Sequence, residues 1–369
     1  MALDSVGAHF LSFESESGRA VPYRFFPDPH HVRLWEAFVP RTVFAGTGFY
    51  VPERVVTNAD LSALMDTSNE WIVERTGIEE RRWVPDGLTG TEMAKRASLM
   101  ALEDAGMVAS DVDAIVLATL TPDVFFPGTG VFLQHELGLE GVPALDIRVQ
   151  CSGFVYGLSV ADAWIRSGQY KTILLVGVEI QSTGLDLTTR GRDLAVLFGD
   201  GAGAAVLTAT EEEGRGVLST HIHSDGQHAR MLWAESPSSQ SNPRISAEDI
   251  AAGRHYPMMV GKEVFKHAVT RMPEAVHEAL AANELTTEDI DLLVPHQANL
   301  RISQMVQRRL QLRDDQVVNN IQRYGNTTAA TIPIALAEAI REERLERGDL
   351  LALVAFGSGF TWGSALIRW

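Results

Sequence analysis

The sequence predicts an α/β protein assembled from two copies of one folding unit, and three observations point there. From Val43 onward, strand-like apolar runs alternate with helix-period patterns. Several segments of the two halves superpose at one constant displacement of 178 residues. The apolar runs are continuous rather than alternating, as in sheets covered on both faces.

Taken in chain order, residues 1–40, which include "YRFFPDPHHVRLWEAFVP", mix aromatics, prolines and histidines without a helical or alternating period. They read as an N-terminal extension of unknown role. The first half spans residues 41–210. Within it "ALEDAGMVASDVDAIVLA", residues 101–118, describes a helix end, an acidic turn and a short apolar strand. The same three features recur in "ALAANELTTEDIDLLVPH", residues 279–296, with Asp113 falling on Asp291. At the same displacement "KTILLVG" (171–177) lies over "DLLALVA" (349–355), and the helix after Cys151 lies over a helix starting near Ala329. Similar apolar strands are common, but agreement of several elements at one offset indicates duplication. "EEEGRG", 211–216, reads as the link to the second half, residues 211–369. The serine- and proline-rich segment 235–257, "ESPSSQSNPRISAEDIAAGRHYP", reads as a surface loop or lid.

Composition narrows the function. A formal charge of −17 argues against broad nucleic-acid binding and against attraction to anionic membranes, while leaving room for a local basic patch. A single cysteine permits neither an intrachain disulfide nor a cysteine-based zinc cage, and favours a reducing, cytoplasmic setting. No apolar run reaches the roughly 18 residues of a spanning helix, and no secretory signal pattern opens the chain.

Cys151 stands where "ALDIRV" gives way to "SGFVYGLSVADAWIRSG", a strand-to-helix junction. Unpaired N–H groups and the positive helix end would stabilise a thiolate there and bring the thiol from about 8.5 toward 7. An inert, buried cysteine is the other reading. His296, in "LLVPHQANLR", follows a strand, a position suited to an acid, base or donor and equally to a structural histidine. Asn326, in "IQRYGNTTAATIPIALAEAI", opens the helix equivalent to the one after Cys151, with a helix cap as the alternative. A pseudo-twofold relation would bring it to the thiol. The glycines of "FGSGFTWGSALIRW" let backbone N–H groups approach a substrate oxygen, or simply make a tight turn. "FGDGAGAAVL" lacks the lysine and helix of a phosphate loop. "HIH" at 221–223 puts two imidazoles on one strand face without an evident third ligand, so no metal is assigned.

From Val43 to the C-terminus these residues resemble the β-ketoacyl-acyl-carrier-protein synthases III of the thiolase-like superfamily. The resemblance runs through "TNADLSALMDTSNEWIVERTGIEER", "QCSGFVYGLS", "FGDGAGAAVL", "PHQANLRI", "RYGNTTAATIPIAL" and "GFTWGSALIRW". It implies a five-layer α-β-α-β-α fold and a homodimer, with Cys151, His296 and Asn326 as catalytic trio. It further implies acyl-CoA and malonyl-acyl-carrier-protein thioesters as substrates, no cofactor, and a decarboxylative condensation through acyl-cysteine. Oxyanion N–H groups would come from Cys151 and Ser358. Trp71, Arg75 and Arg190 match CoA-contacting positions. Phe126 matches a residue that limits the acyl pocket from across the dimer, and Arg301, Arg308 and Arg309 match the carrier-protein docking patch. Ser358 in the last glycine loop departs from the family pattern, and is acceptable if its φ is ordinary. The 235–257 segment has no counterpart, which leaves the primer open.

Rival readings differ in class. A cysteine hydrolase lacks the expected "CGSCW"-like start here. An acyltransferase of the same fold using another acceptor in secondary metabolism fits the trio equally well. A catalytically silent ketosynthase partner does not require it.

Overall fold

The computed structural model describes residues 39–369; the N-terminal extension lies outside the described residues apart from its last two. The first half contains β1 (Arg41–Tyr50), α1 (Asn69–Thr76), α2 (Gly90–Asp104), β2 (Ala114–Ala118), α3 (Thr129–Glu136), β3 (Ala144–Ile147), α4 (Gly153–Arg166), β4 (Thr172–Glu179) and β5 (Gly201–Thr210). The second contains β6 (Gly216–Ser224), α5 (Ala247–Ala252), α6 (Gly261–Ala282), β7 (Leu292–Pro295), α7 (Leu300–Leu310), α8 (Thr331–Arg341), β8 (Leu350–Gly357) and β9 (Thr361–Arg368).

Five strands form the first sheet in the order β1-β5-β4-β2-β3, and four form the second in the order β7-β8-β9-β6. The inner strands β4 and β8 are buried along their whole length, so both faces of each sheet are covered, as their unbroken apolar sequences require. Between the sheets lie α4 and α8. Phe154, Leu158 and Ile165 of α4 and Ile332, Leu336 and Ala339 of α8 join strand residues of both sheets in one core. Outside the first sheet α2 buries the stripe Met93, Ala94, Ala97 and Ala101. Outside the second, α6 buries Met272, Val276 and Leu280 with Val306 of α7. Helix, sheet, paired helices, sheet and helix stack as five layers.

The duplication extends to side chains. Asp113 accepts from the N–H groups of Lys171 and Thr172 at 2.9 Å each, locking the start of β4 to the turn before β2. Asp291 accepts from Leu350 N–H at 2.7 Å, doing the same between β7 and β8. The second half lacks a full counterpart of β3, which is reduced to the single bridge between Leu293 and Val317.

Two expectations need adjustment. The 235–257 segment is not wholly loop: Ser246 and Asp249 form a reciprocal capping box that nucleates α5, and Leu232–Trp233 pairs with Met258–Met259 to close its neck. "HIH" has a third neighbour, because Glu278 of α6 lies 3.3 Å from His221 Nδ1 and 2.6 Å from His223 Nε2. No group of three such side chains among the described residues is arranged to hold a metal ion.

If Asp113 locks β4, Asp113→Ala should lower unfolding stability by about 1.5–3 kcal/mol, the usual range for bonds to a charged acceptor, in a urea titration. Asp291→Ala, removing one such bond, should cost less.

Candidate active site

Cys151 sits in a single 3-10 turn, Gln150–Ser152, that feeds directly into α4. Its placement depends on the end of β8 across the sheet boundary. A Cβ added to Gly357 would lie 2.8 Å from Cys151 Cβ and 3.1 Å from Cys151 N, so only glycine lets the two chains approach this closely. The N–H groups of Cys151 and Ser358 are both directed at the sulfur. Ser358 is not among the residues with positive φ, so serine occupies that position without backbone strain.

His296 immediately follows β7 and is buried. Thr331 at the start of α8 lies 2.6 Å from its Nδ1 and 2.9 Å from Thr328 O, two acceptors for one hydroxyl proton. When Thr331 donates to the nearer acceptor, the imidazole proton resides on Nε2, which has no partner among the described residues. Asn326 precedes α8 by a turn rather than opening it. Its Oδ1 accepts from Thr328 N at 2.8 Å, which turns the amide NH2 away from the backbone. By the displacement of 178 residues Cys151 corresponds to Ala329. The thiol and the carboxamide are therefore neighbours of the pseudo-twofold axis rather than equivalents across it.

All three side chains line a cleft of about 660 Å³. Trp71, Arg75, Lys262, Arg301 and Asp193 line the same cleft, and the last four are exposed, so three cations and one carboxylate mark its mouth and the buried trio its floor. A second cavity, of about 790 Å³, meets the first at Cys151 and is bounded by Leu120, Thr121, Ile180, Trp233 and Ser358 among others. The thiol stands at the junction of two chambers.

Burial governs the protonation states. It pushes the Cys151 thiol up to about 12, assisted by the nearby Glu179 carboxyl, and outweighs the two N–H groups. The lowered value expected from the helix end is overturned, because the sulfur is desolvated. The same burial takes His296 down to about 3, so its imidazole is neutral. Glu179, fully buried, is pushed up to about 7 by desolvation. Its carboxyl accepts from Thr121 Oγ1 at 2.6 Å and from Leu120 N at 3.2 Å.

The remaining residues named from sequence separate. Trp71 and Arg75 do stack, with the guanidinium 4.7 Å from the indole centroid. The guanidinium of Arg192 also lies 4.7 Å from the Trp71 ring centroid. Arg190 does not line the cleft: its Nε donates at 2.6 Å to the carboxylate of Asp186, four residues back in the preceding loop. Arg301 and Arg308 are exposed on α7, whereas Arg309 donates to Val269 O at 2.8 Å and ties α7 to α6. Phe126 is 77% exposed and lines neither chamber of its own chain. Sequence reasoning missed Arg192, Lys262 and Glu179. For Arg192 the signal was present in "RGRD", where two arginines competed and only packing chose between them.

With the thiol near 12, alkylation of Cys151 by iodoacetamide should quicken about tenfold per pH unit between roughly pH 7 and 10, without a plateau. A plateau near pH 7 would show a low-pKa thiol instead.

The chain was compared with known proteins. The family models 3-oxoacyl-[acyl-carrier-protein] synthase III and its C-terminal companion match residues 145–226 and 280–369. The β-ketoacyl-[acyl-carrier-protein] synthase III of Xanthomonas campestris pv. campestris is 50% identical over 325 residues, 88% of this chain and 97% of that one. The crystal structure of 3-oxoacyl-[acyl-carrier-protein] synthase III from Aquifex aeolicus is 42% identical, with a TM-score of 0.81 over 89% of this chain and 100% of that one. The priming β-ketosynthase of the R1128 polyketide pathway is similar at 34% identity and a TM-score of 0.82, over 89% of this chain and 96% of that one. The chain therefore belongs to the β-ketoacyl-[acyl-carrier-protein] synthase III family, acyltransferase-type ketosynthases of the thiolase fold that perform the initiating condensation of fatty-acid synthesis.

Proposed function

We propose that Cys151, His296 and Asn326 carry this condensation, with acyl-CoA and malonyl-acyl-carrier protein as substrates and no cofactor. The observation that supports the assignment is the convergence of all three on one cleft whose mouth bears Arg75, Lys262 and Arg301. The sulfur attacks the acyl-CoA carbonyl carbon, and the developing oxyanion is held by the N–H groups of Cys151 and Ser358. The C–S bond to CoA breaks, the thiol proton leaves with CoA, and acyl-cysteine remains. The acyl group occupies the second chamber, beyond the sulfur, and frees the cleft for the next thioester.

The malonyl thioester oxygen then accepts from the Asn326 amide and from His296 Nε2–H. As the bond to the carboxylate breaks and carbon dioxide departs, its electron pair forms an enolate stabilised by those two donors. The enolate carbon attacks acyl-cysteine, the tetrahedral intermediate collapses, and the Cys151 thiolate leaves. A neutral imidazole is suited to this role because it stabilises negative charge without protonating the carbanion.

The half 41–210 supplies the thiol, and the half 211–369 supplies its two partners. Trp71 and the guanidinium groups of Arg75 and Arg192 beside it supply an aromatic surface for the CoA adenine, which would displace one of the two arginines, and cations for its phosphates. Arg301 and Arg308 present positive charge to the acidic carrier protein. A homodimer is supported by the free edge of β3, where Leu145 is exposed beside Val124, Phe125, Phe126, Val131 and Phe132. Phe126 then reaches the second copy rather than its own chamber. No helix among the described residues is long and apolar enough to cross a membrane, and the free Cys151 suits a reducing cytoplasm.

Intact-mass measurement with acyl-CoA should show a gain on wild type that Cys151→Ala abolishes. His296→Ala and Asn326→Ala should still be acylated, yet release carbon dioxide from malonyl-carrier protein about 10²–10³-fold more slowly, the usual loss for one oxyanion donor. Transfer to another acceptor without carbon dioxide would favour the acyltransferase reading. Because His296 is held near 3 and Glu179 near 7, any step near neutrality in the pH profile of decarboxylation should vanish in Glu179→Gln; a step near 6.5 that survives that substitution would mean a solvated histidine.

A further inference from the structure

Arg190 is left unused by the site, and its surroundings give it a different task. Asp186 is 7% exposed and holds Arg190 Nε at 2.6 Å, while its other oxygen accepts from Thr188 N and Oγ1 at 3.1 and 2.7 Å. The guanidinium is thereby fixed in orientation. Against it lies the end of the 235–257 excursion: Gly253, the left-handed cap of α5, is so close that a Cβ there would stand 2.5 Å from an Arg190 nitrogen. The ring of Tyr256 is centred 5.7 Å from the same guanidinium. On either side of this footing, Trp233, Ala234, His255 and Pro257 face the second chamber. The remainder of the excursion is self-braced, through Arg254 Nε to Asp249 at 2.7 Å and Ser236 N to Arg254 O at 3.1 Å.

We propose that Arg190 is a positioning residue that seats the 235–257 excursion as the roof of the acyl chamber, and that the roofed chamber selects primers longer than acetyl. The inference rests on Cys151 being the acylated residue. Size supports it. At about 30 Å³ per water-sized group, an acetyl group fills on the order of a tenth of 790 Å³. Leu120, Ile180, Leu232 and Trp233 give an extending chain apolar walls, and each methylene buried against them is worth roughly fourfold in binding. A short acyl group forgoes these contacts.

The test compares acylation of Cys151 by acetyl, butyryl and octanoyl thioesters, each offered as the CoA ester and as the pantetheine ester that lacks the nucleotide. Wild type should prefer octanoyl to acetyl. Arg190→Ala should lower that preference about tenfold with both carriers, and Arg190→Lys, which loses the planar fork, should move it the same way. Trp233→Ala, which removes an apolar wall of the roof itself, should likewise lower the octanoyl preference with both carriers, and it serves if the Arg190 variants fold poorly. Three results overturn the inference: a wild-type preference for acetyl, no change of preference in any variant, or an Arg190→Ala defect equal for all chain lengths and confined to CoA esters, which would make Arg190 a nucleotide contact. Absence of acylation by every thioester would instead remove the reading of Cys151 itself.

Discussion

Every feature of this site depends on one close approach. The last residue of β8, Gly357, lies against the backbone of Cys151 at a distance no side chain would allow. That approach places the N–H groups of Cys151 and Ser358 at one sulfur. It is possible because α4 and α8 share a layer between two sheets, packed on residues from both. Neither half could set this geometry alone. Close packing of the middle layer makes the separation of the two halves stiff, since interiors have little free volume to absorb a shift.

Burial then acts on two groups in opposite senses and toward one end. Desolvation disfavours charge, so it raises the thiol and lowers the imidazole, leaving both neutral. A neutral thiol resists adventitious chemistry until a thioester arrives, and a neutral imidazole remains a donor across the physiological range. Glu179 belongs to the same environment. Bonded to Thr121 and Leu120, it braces the wall of the acyl chamber while its charge opposes the thiolate next door.

Around this centre the surface divides labour by charge and shape. A protein of net charge −17 nevertheless gathers Arg75, Lys262 and Arg301 at the mouth of one chamber. The other chamber is roofed by an excursion whose helix exists only because Ser246 and Asp249 cap it. Arginines that look interchangeable in sequence have separate partners: Arg192 the face of Trp71, Arg190 the carboxylate of Asp186, Arg309 the carbonyl of Val269.

The duplicated frame was legible in the residues themselves, because strand and helix periods, acidic turns and a constant offset are local features that each half repeats. The matched pair Asp113 and Asp291 shows how far that legibility went. Cys151, His296 and Asn326 stood out as candidates at element boundaries, each with a structural alternative, and the family resemblance rather than local pattern joined them as a trio. What only the tertiary structure decided was everything set by distance between chain-remote groups. The protonation state of Cys151 follows from burial beneath Gly357, which overrode the local pull of the helix end. The task of Arg190 follows from Asp186 and Gly253, and the two chambers follow from how the sheets and the excursion close over the thiol. Periodicity reports which face of an element is buried; solvation and charge depend on what else arrives there, and that is a property of the folded packing.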